Sequence, residues 1–261
     1  MRDDLPDDVK GHIPTNLRLL LLIEQVAREG VPVTPAAMST ALDLPKATVH
    51  RLLTTAEDEG FLQRDLDGRS YGPGHRLRQL SANTLSSQRV RTERLLIMKN
   101  LAEKVGETCN LAAPGRYGMV YLDRVETHWP LRIQLPVGTQ VPFHCTASGK
   151  LYLSSLRLER LKRFLGAAEL ERKTDQTITE SGALLSELDQ TRSQGYSTDD
   201  QEFMEGMAAI AVAVRDDQGR LLTTLSIHAP VQRHRLDDLR QFLDELSDAR
   251  AQLEDIIQAS D

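Results

Sequence analysis

Residues 46–54, KATVHRLLT, hold the densest group of side chains suited to reading nucleic acid. Lys46, Ala47, Thr48, His50, Arg51 and Thr54 are small, polar or cationic. Val49, Leu52, Leu53 and Ala56 interleave with them at i, i+3, i+4 and i+7, which predicts a helix with one buried stripe. Such a helix offers its other face to a partner. Arginine pairs bidentately with guanine, an alanine methyl meets the thymine methyl, and the amides of a first turn hold a phosphate. For these residues alone, an amphipathic helix hairpin in a core is the ordinary alternative.

The flanking elements must position that face. Thr34 is a candidate N-cap with Pro35 at the first helical position, predicting a helix to about Leu42 that ends before Leu44-Pro45. The second helix runs from Lys46 to Gly60, a left-handed stop. Asp65-Leu66-Asp67-Gly68 between Phe61–Arg64 and Arg69–Tyr71 predicts a hairpin. A helix over Thr15–Arg28 supplies a third wall through Leu17, Leu20, Leu21 and Ile23. Helix, helix and hairpin read together as a winged helix-turn-helix, with Arg64 and Arg69 on the wing within reach of DNA backbone.

Charge divides the 261 residues in the same way. From Pro14 to Arg94 there are 11 basic and 9 acidic residues, from Leu95 onward 19 and 25, and in 1–13 only 2 and 4. A weakly basic head on an acidic body fits a DNA contact confined to one end and excludes a protein that coats nucleic acid. Two cysteines, Cys109 and Cys145, are too few for a disulfide framework. No apolar run approaches the roughly 18 residues of a membrane span, and the acidic start is unlike a signal peptide. These features predict a cytoplasmic protein with a disordered tail over 1–13, a DNA-binding domain over 14–73, a linker helix over 74–89 and a second domain over 90–261.

In the second domain the pattern predicts a helix over Arg91–Val105 and strands over Thr108–Ala112, Gly118–Val125 and Leu131–Leu135. A helix then starts at Thr146 with Thr146 or Ser148 as cap, and helices follow over Leu156–Leu165 and Glu180–Gln194. Residues 197–207, STDDQEFMEGM, read as a polar loop. Strands Ala208–Val214 and Leu221–His228 and one long helix, Leu236–Ile257, close the chain. The class is α+β, a sheet with a helical layer.

From Leu17 to Ile257 the chain resembles the isocitrate lyase regulator (IclR) family of bacterial transcription factors. The resemblance rests on LDLPKATVHRLL at 42–53, GETCNLAAPGRYGMVYLDRVE at 106–126, LRIQLPVGTQVPFHCTASGKLYLS at 131–154, QGYSTDDQEFMEGMAAIAVAV at 194–214 and GRLLTTLSIHAP at 219–230. It implies a linker helix between the winged helix-turn-helix and a GAF-like effector-binding domain. It also implies a homodimer or dimer of dimers on a palindromic double-stranded operator, and a small organic or aromatic acid as effector, with neither cofactor nor metal. Carried over by position, the effector pocket falls on Ile133, Leu135, Ala147, Ser148, Asp199, Ala209, Ser226 and His228.

The residues themselves suit that role. Ala147-Ser148-Gly149 opens a helix whose N–H groups favour a carboxylate, and Ser226 and His228 share one face of a strand. Each also has a plainer reading: Ser148 as a cap, Asp199 as a loop anchor, His228 as a satisfied buried histidine. The chain departs from its relatives at His228, often a serine, at Ala209, often polar or a thiol, and at Ala47, often a serine.

Two rival readings rest on other residues. His144-Cys145 invites a cysteine nucleophile, but neighbours on a strand face opposite sides, and no G-x-S-x-G elbow or phosphate loop is present. Metal or redox sensing through Cys109, His144 and Cys145, with His128 and His228 as further ligands, lacks the close spacing of a zinc site.

Overall fold

The computed structural model describes residues 13–29, 31–65, 67–85, 88–130 and 135–258. Contacts divide the chain into two compact units, with the boundary between Thr84 and Leu85. The expected tail, apart from residue 13, lies outside the described residues. So does the expected strand Leu131–Leu135, apart from its last residue, and with it Ile133.

The first unit contains α1 (Arg18–Glu29), α2 (Pro35–Leu42), α3 (Lys46–Asp58), β1 (Leu62–Arg64), β2 (Tyr71–Pro73) and α4 (His75–Leu85). Thr34 Oγ1 accepts the Ala37 N–H at 3.3 Å, and Pro35 fills the first helical position. Asp43 ends α2 in the left-handed region at φ 51°. Leu22, Val26, Met38, Val49, Leu53, Ala56, Leu62 and Tyr71 are buried together, so α1, α2, α3 and both strands contribute to one core. The apolar stripe of α3 holds as expected, with Leu52 half-buried at its margin.

The hairpin pairs Leu62 with Pro73 and Arg64 with Tyr71. Its turn is built by the Asp67 carboxylate, which accepts the Arg69 and Ser70 N–H groups, both at 2.8 Å, and the Ser70 hydroxyl at 2.7 Å. Gly60 stops the α3 segment at φ 73°. Gly74 sits so close to it that a Cβ there would lie 2.3 Å from the Gly60 carbonyl oxygen, so only glycine allows this approach.

The second unit runs α5 (Gln88–Val105), β3 (Thr108–Pro114), β4 (Met119–Val125), β5 (Gln140–Val141), α6 (Ala147–Ser155), α7 (Leu158–Ala167), α8 (Ser181–Gln194), β6 (Tyr196–Asp200), β7 (Met207–Arg215), β8 (Leu221–Pro230), α9 (Leu236–Arg240) and α10 (Leu243–Gln258). The strands form one antiparallel sheet in the order β5-β4-β3-β8-β7-β6.

Both faces of this sheet are covered, and strand β7 records the reason in alternating sizes. Ile210, Val212 and Val214 join Cys109, Leu111, Leu225 and Ile227 against Met98, Leu101 and Val105 of α5 and Leu246, Ala249 and Leu253 of α10. The alternate residues Ala209, Ala211 and Ala213 meet Ala147 and Leu151 of α6. Three alanines let a helix lie close to the strand, and the larger residues opposite fill the thicker layer.

Two expectations need correction, and one alternative is resolved. The segment read as a polar loop begins with strand β6, because Ser197, Thr198 and Asp199 pair with Ala211, Ile210 and Ala209 and are buried despite their polarity. The single C-terminal helix is two: the N–H groups of Gln241 and Phe242 bond back only three residues, to Asp238 at 3.2 Å and Leu239 at 3.1 Å. That tight turn lets Phe242 pack against the core and against the His234 ring. The cap of α6 is Thr146, whose Oγ1 accepts the Gly149 N–H at 3.1 Å, so Ser148 is released from capping.

Candidate nucleic-acid interface and ligand site

On α3, the side chains of Lys46, Ala47, His50, Arg51 and Thr54 are exposed and Thr48 is half-buried, while Val49 and Leu53 on the reverse are fully buried. Pro45 precedes the helix and no side chain caps it, so the first-turn amides are open to an anion. The two wing arginines differ. Arg64 is folded onto α3, with Nε 3.0 Å from Glu57 Oε1, Nη1 donating to the Gly68 carbonyl at 3.2 Å and the guanidinium over the Tyr71 ring. The Arg69 side chain is exposed near the hairpin tip.

The second constellation lies on the α6 side of the sheet. Pairing sets its rows. Asp199, Ala209, His228 and Thr108 align across β6, β7, β8 and β3, and Ser197, Ala211, Ser226 and Asn110 align in the next row. Paired residues share a face, so these rows lie under α6 with Ala209 and Ala211. Ser226 Oγ donates to the Asn110 carbonyl at 3.3 Å and lies 2.9 Å from His228 Nε2. The Tyr121 ring meets the His228 ring edge-on at 6.3 Å.

Of the pocket positions expected from sequence, Ala147 and Ser148 begin the roof, and Asp199, Ala209, Ser226 and His228 share the floor. Leu135 packs at the margin of the cluster that contains Tyr121 and Phe143. Ile133 lies outside the described residues. Gly149 permits the roof: a Cβ there would stand 2.3 Å from the Phe143 carbonyl oxygen.

The site is rich in groups that donate. Burial, then the neighbouring Glu202 charge, raises Asp199 to about 8, so its carboxyl is largely protonated at neutral pH. Its Oδ1 already accepts the Glu202 N–H at 2.8 Å and the Phe203 N–H at 3.3 Å. Burial, aided by the Arg124 charge, pulls His228 down to about 3, leaving a neutral ring. Ser148 Oγ, Ser197 Oγ and Asn110 Nδ2 are buried without a hydrogen-bond partner among the described residues.

Lys150, one turn along α6, ties the roof down. It is 1% exposed and bonds Glu202 at 2.5 Å and Glu187 of α8 at 2.8 Å. Burial works against its charge, but the two carboxylates outweigh it and its pKa is raised.

Sequence reasoning missed Asn110, Thr108, Tyr121, Arg124 and Ser197. The alternation Thr108-Cys109-Asn110-Leu111 carried a signal, polar on one face of a strand whose other face is core. Arg124 and Tyr121 carried none. Across from Leu111–Ala112, β4 has one extra residue, Leu122, and this bulge turns both Arg124 and Tyr121 to the same face.

The rival constellations do not assemble. Cys109 is in the core beneath α5, whereas Cys145 stands beside α6 and is pushed up to about 12 by burial and the Asp199 charge, so it is a thiol. His144 turns Nε2 to the Glu171 carbonyl at 2.9 Å, and burial lowers its pKa. Among the described residues, no group of three or more His, Cys, Asp or Glu is arranged to hold a metal. No helix among them is long and apolar enough to cross a membrane.

Comparison with known proteins covers both units. Residues 17–66 match the IclR helix-turn-helix domain, and residues 82–255 match the bacterial transcriptional regulator IclR C-terminal domain. The chain is 38% identical over 230 residues to the probable transcriptional regulator SauR of Cupriavidus necator, covering 88% of this chain and 91% of that one. It is 28% identical over 234 residues to the transcriptional repressor IclR of Escherichia coli, covering 89% and 85%. In fold it is similar to the crystal structure of an IclR homolog from Microbacterium hydrocarbonoxydans complexed with 4-hydroxybenzoate. The TM-score is 0.61 at 24% identity, over 92% of this chain and 99% of that one.

Proposed function

Since this chain belongs to the IclR family of bacterial transcriptional regulators, we propose that it binds a palindromic operator as a homodimer or dimer of dimers in the cytoplasm. Its response is governed by a small organic or aromatic acid. The observation that carries the DNA reading is the outer face of α3, where Lys46, His50, Arg51 and Thr54 are exposed over a fully buried stripe. In this reading Arg51 and Ala47 meet base edges in the major groove, while Lys46, Thr48 and the open amides hold phosphate. Arg69 reaches the backbone from the wing, and Arg64 joins it once released from Glu57.

The effector lies between α6 and the sheet. Its acid group meets Ser148 and the α6 amides, and Ser226, His228 and Asp199 hold its other polar atoms. Ala147, Ala209 and Leu135 bound it. The Microbacterium relative, crystallised in complex with 4-hydroxybenzoate, supports a small acid as the effector. The linker over 74–89 pairs with its copy, and effector binding changes the separation of two DNA heads. Half-sites lie about 34 Å apart, or multiples of it, on one face of the duplex, so a small change in separation alters affinity. The chain acts by binding, not by catalysis.

Selection from random duplexes with the full chain tests the DNA half. A palindrome whose enrichment is lost in Arg51→Ala supports it, and no enriched sequence overturns it. A thermal-shift screen against small carboxylic and aromatic acids tests the other half. A ligand at about 100 times its Kd stabilises by about 2.7 kcal/mol. A saturable response that is lost in Ser226→Ala supports the pocket, and a panel without any response overturns it.

A further inference from the structure

Asn110 is held in a way that nothing in its own strand requires. It lies on β3, is 1% exposed, and faces α6 in the row of Ser226 and Ala211. Its Oδ1 accepts a hydrogen bond from Arg124 Nη1 at 3.2 Å. Arginine has donors and no acceptor, so the amide cannot turn over without setting donor against donor. Arg124 is itself buried and bonds Glu126 through Nε at 3.0 Å, which keeps the guanidinium in position. The Nδ2 end is thereby fixed, and no acceptor among the described residues meets it.

Buried donors are nearly always paired, because an orphaned one bears the whole cost of its lost hydration. A leucine of similar size would fill the same volume without that cost. On the facing roof, Ser148 Oγ is in the same condition: 3% exposed, freed from capping by Thr146, and unpartnered. One orphan stands on the floor and one on the roof, with the α6 amides beside the second. The bulge at Leu122 is what delivers Arg124 to this face.

We propose that Asn110 is a specificity-determining residue of the effector site, and that the effector is a small acid bearing a second acceptor oxygen remote from its acid group. The inference rests on the acid reading above and adds the second oxygen to it. The acid group takes Ser148 Oγ and the first-turn amides of α6. The second oxygen, a hydroxyl, an oxo group or a second carboxylate, takes the Asn110 N–H that Arg124 polarises. A ligand with one polar end leaves Asn110 unpaired and is rejected for that reason.

Titration calorimetry of the full chain with matched acids tests this: benzoate against 4-hydroxybenzoate, propionate against 3-hydroxypropionate, and butyrate against succinate. The two-oxygen member of at least one pair binds at least about tenfold tighter, since a site built to hydrogen-bond an oxygen penalises the analogue without it. Asn110→Leu keeps the volume and removes the donor without adding an acceptor to which a ligand hydroxyl could donate instead. It cancels that preference, whereas the one-oxygen acid keeps its affinity within about threefold or gains. Equal affinities in the wild-type protein overturn the inference and leave the acid reading intact. So does a preference that survives in Asn110→Leu. If neither member of any pair binds, the acid reading fails and this inference fails with it. An equal wild-type ratio overturns the inference even if the variant does not fold.

Discussion

The outer face of α3 and the sheet floor beneath α6 both collect polar side chains, yet the first keeps them in water and the second buries them. Lys46, His50 and Arg51 are solvated in the free protein and owe nothing to the fold. Asp199, Asn110 and Ser148 have lost solvent, His228 is half-buried, and the fold offsets only part of that loss. A surface built for DNA can stay wet until a charged partner arrives. A site for a small molecule must be dry and formed beforehand, so its strain is carried by the apoprotein. Substitutions on α3 are therefore expected to change affinity alone, and those under α6 to change stability as well.

The largest effect expected is from Lys150→Met. It strands Glu202 and Glu187 beside each other, and breaking a buried pair in this way costs about 3–5 kcal/mol in urea unfolding. An unchanged midpoint would mean that the roof does not depend on this tie. Next is Arg51→Ala, which weakens specific operator binding by about 1–3 kcal/mol while the melting temperature stays put. Equal loss on random DNA would make Arg51 a phosphate contact.

The third expectation is a pH profile. Asp199 is raised from 3.8 to about 8, so the folded state holds a proton that the unfolded chain has released, and stability falls as pH rises through that window. His228 is lowered from 6.5 to about 3, so it contributes stability above 6.5 that is lost as pH falls. Between about pH 4 and 6.5 the two slopes oppose each other, and above 6.5 that of Asp199 stands alone, at most about 1.4 kcal/mol per pH unit. Stability measured from pH 6.5 to 8 thus declines in the wild type and flattens in Asp199→Asn. A decline of equal size in both would assign it to another group. The smallest effect is that of Arg69→Ala, a loss of about 1 kcal/mol or less on any duplex, with a salt slope lower by about 1 and no change in unfolding.

Sequence alone determined the elements whose signals are local. The Thr34 cap with Pro35, the buried stripe of α3, the Asp67-Gly68 turn and the apolar strand β7 each depend on residues within a few positions of one another. The exposed face of α3 was legible for the same reason: it is the complement of a periodic stripe. Tertiary structure decided whatever depends on a distant partner. β6 reads as a loop because Ser197 and Asp199 are polar, and only pairing with β7 and cover by α6 bury them. The C-terminal helix breaks at Gln241–Phe242 because Phe242 has a core to reach. Arg124 and Tyr121 reach one face only through the bulge opposite Leu111–Ala112, a matter of register between strands that periodicity within β4 cannot express. Asn110 acquires its direction from Arg124, fourteen positions away. Local periodicity tells which side of an element is buried; what it is buried against, and which polar atom is left waiting there, is set by the neighbouring strand.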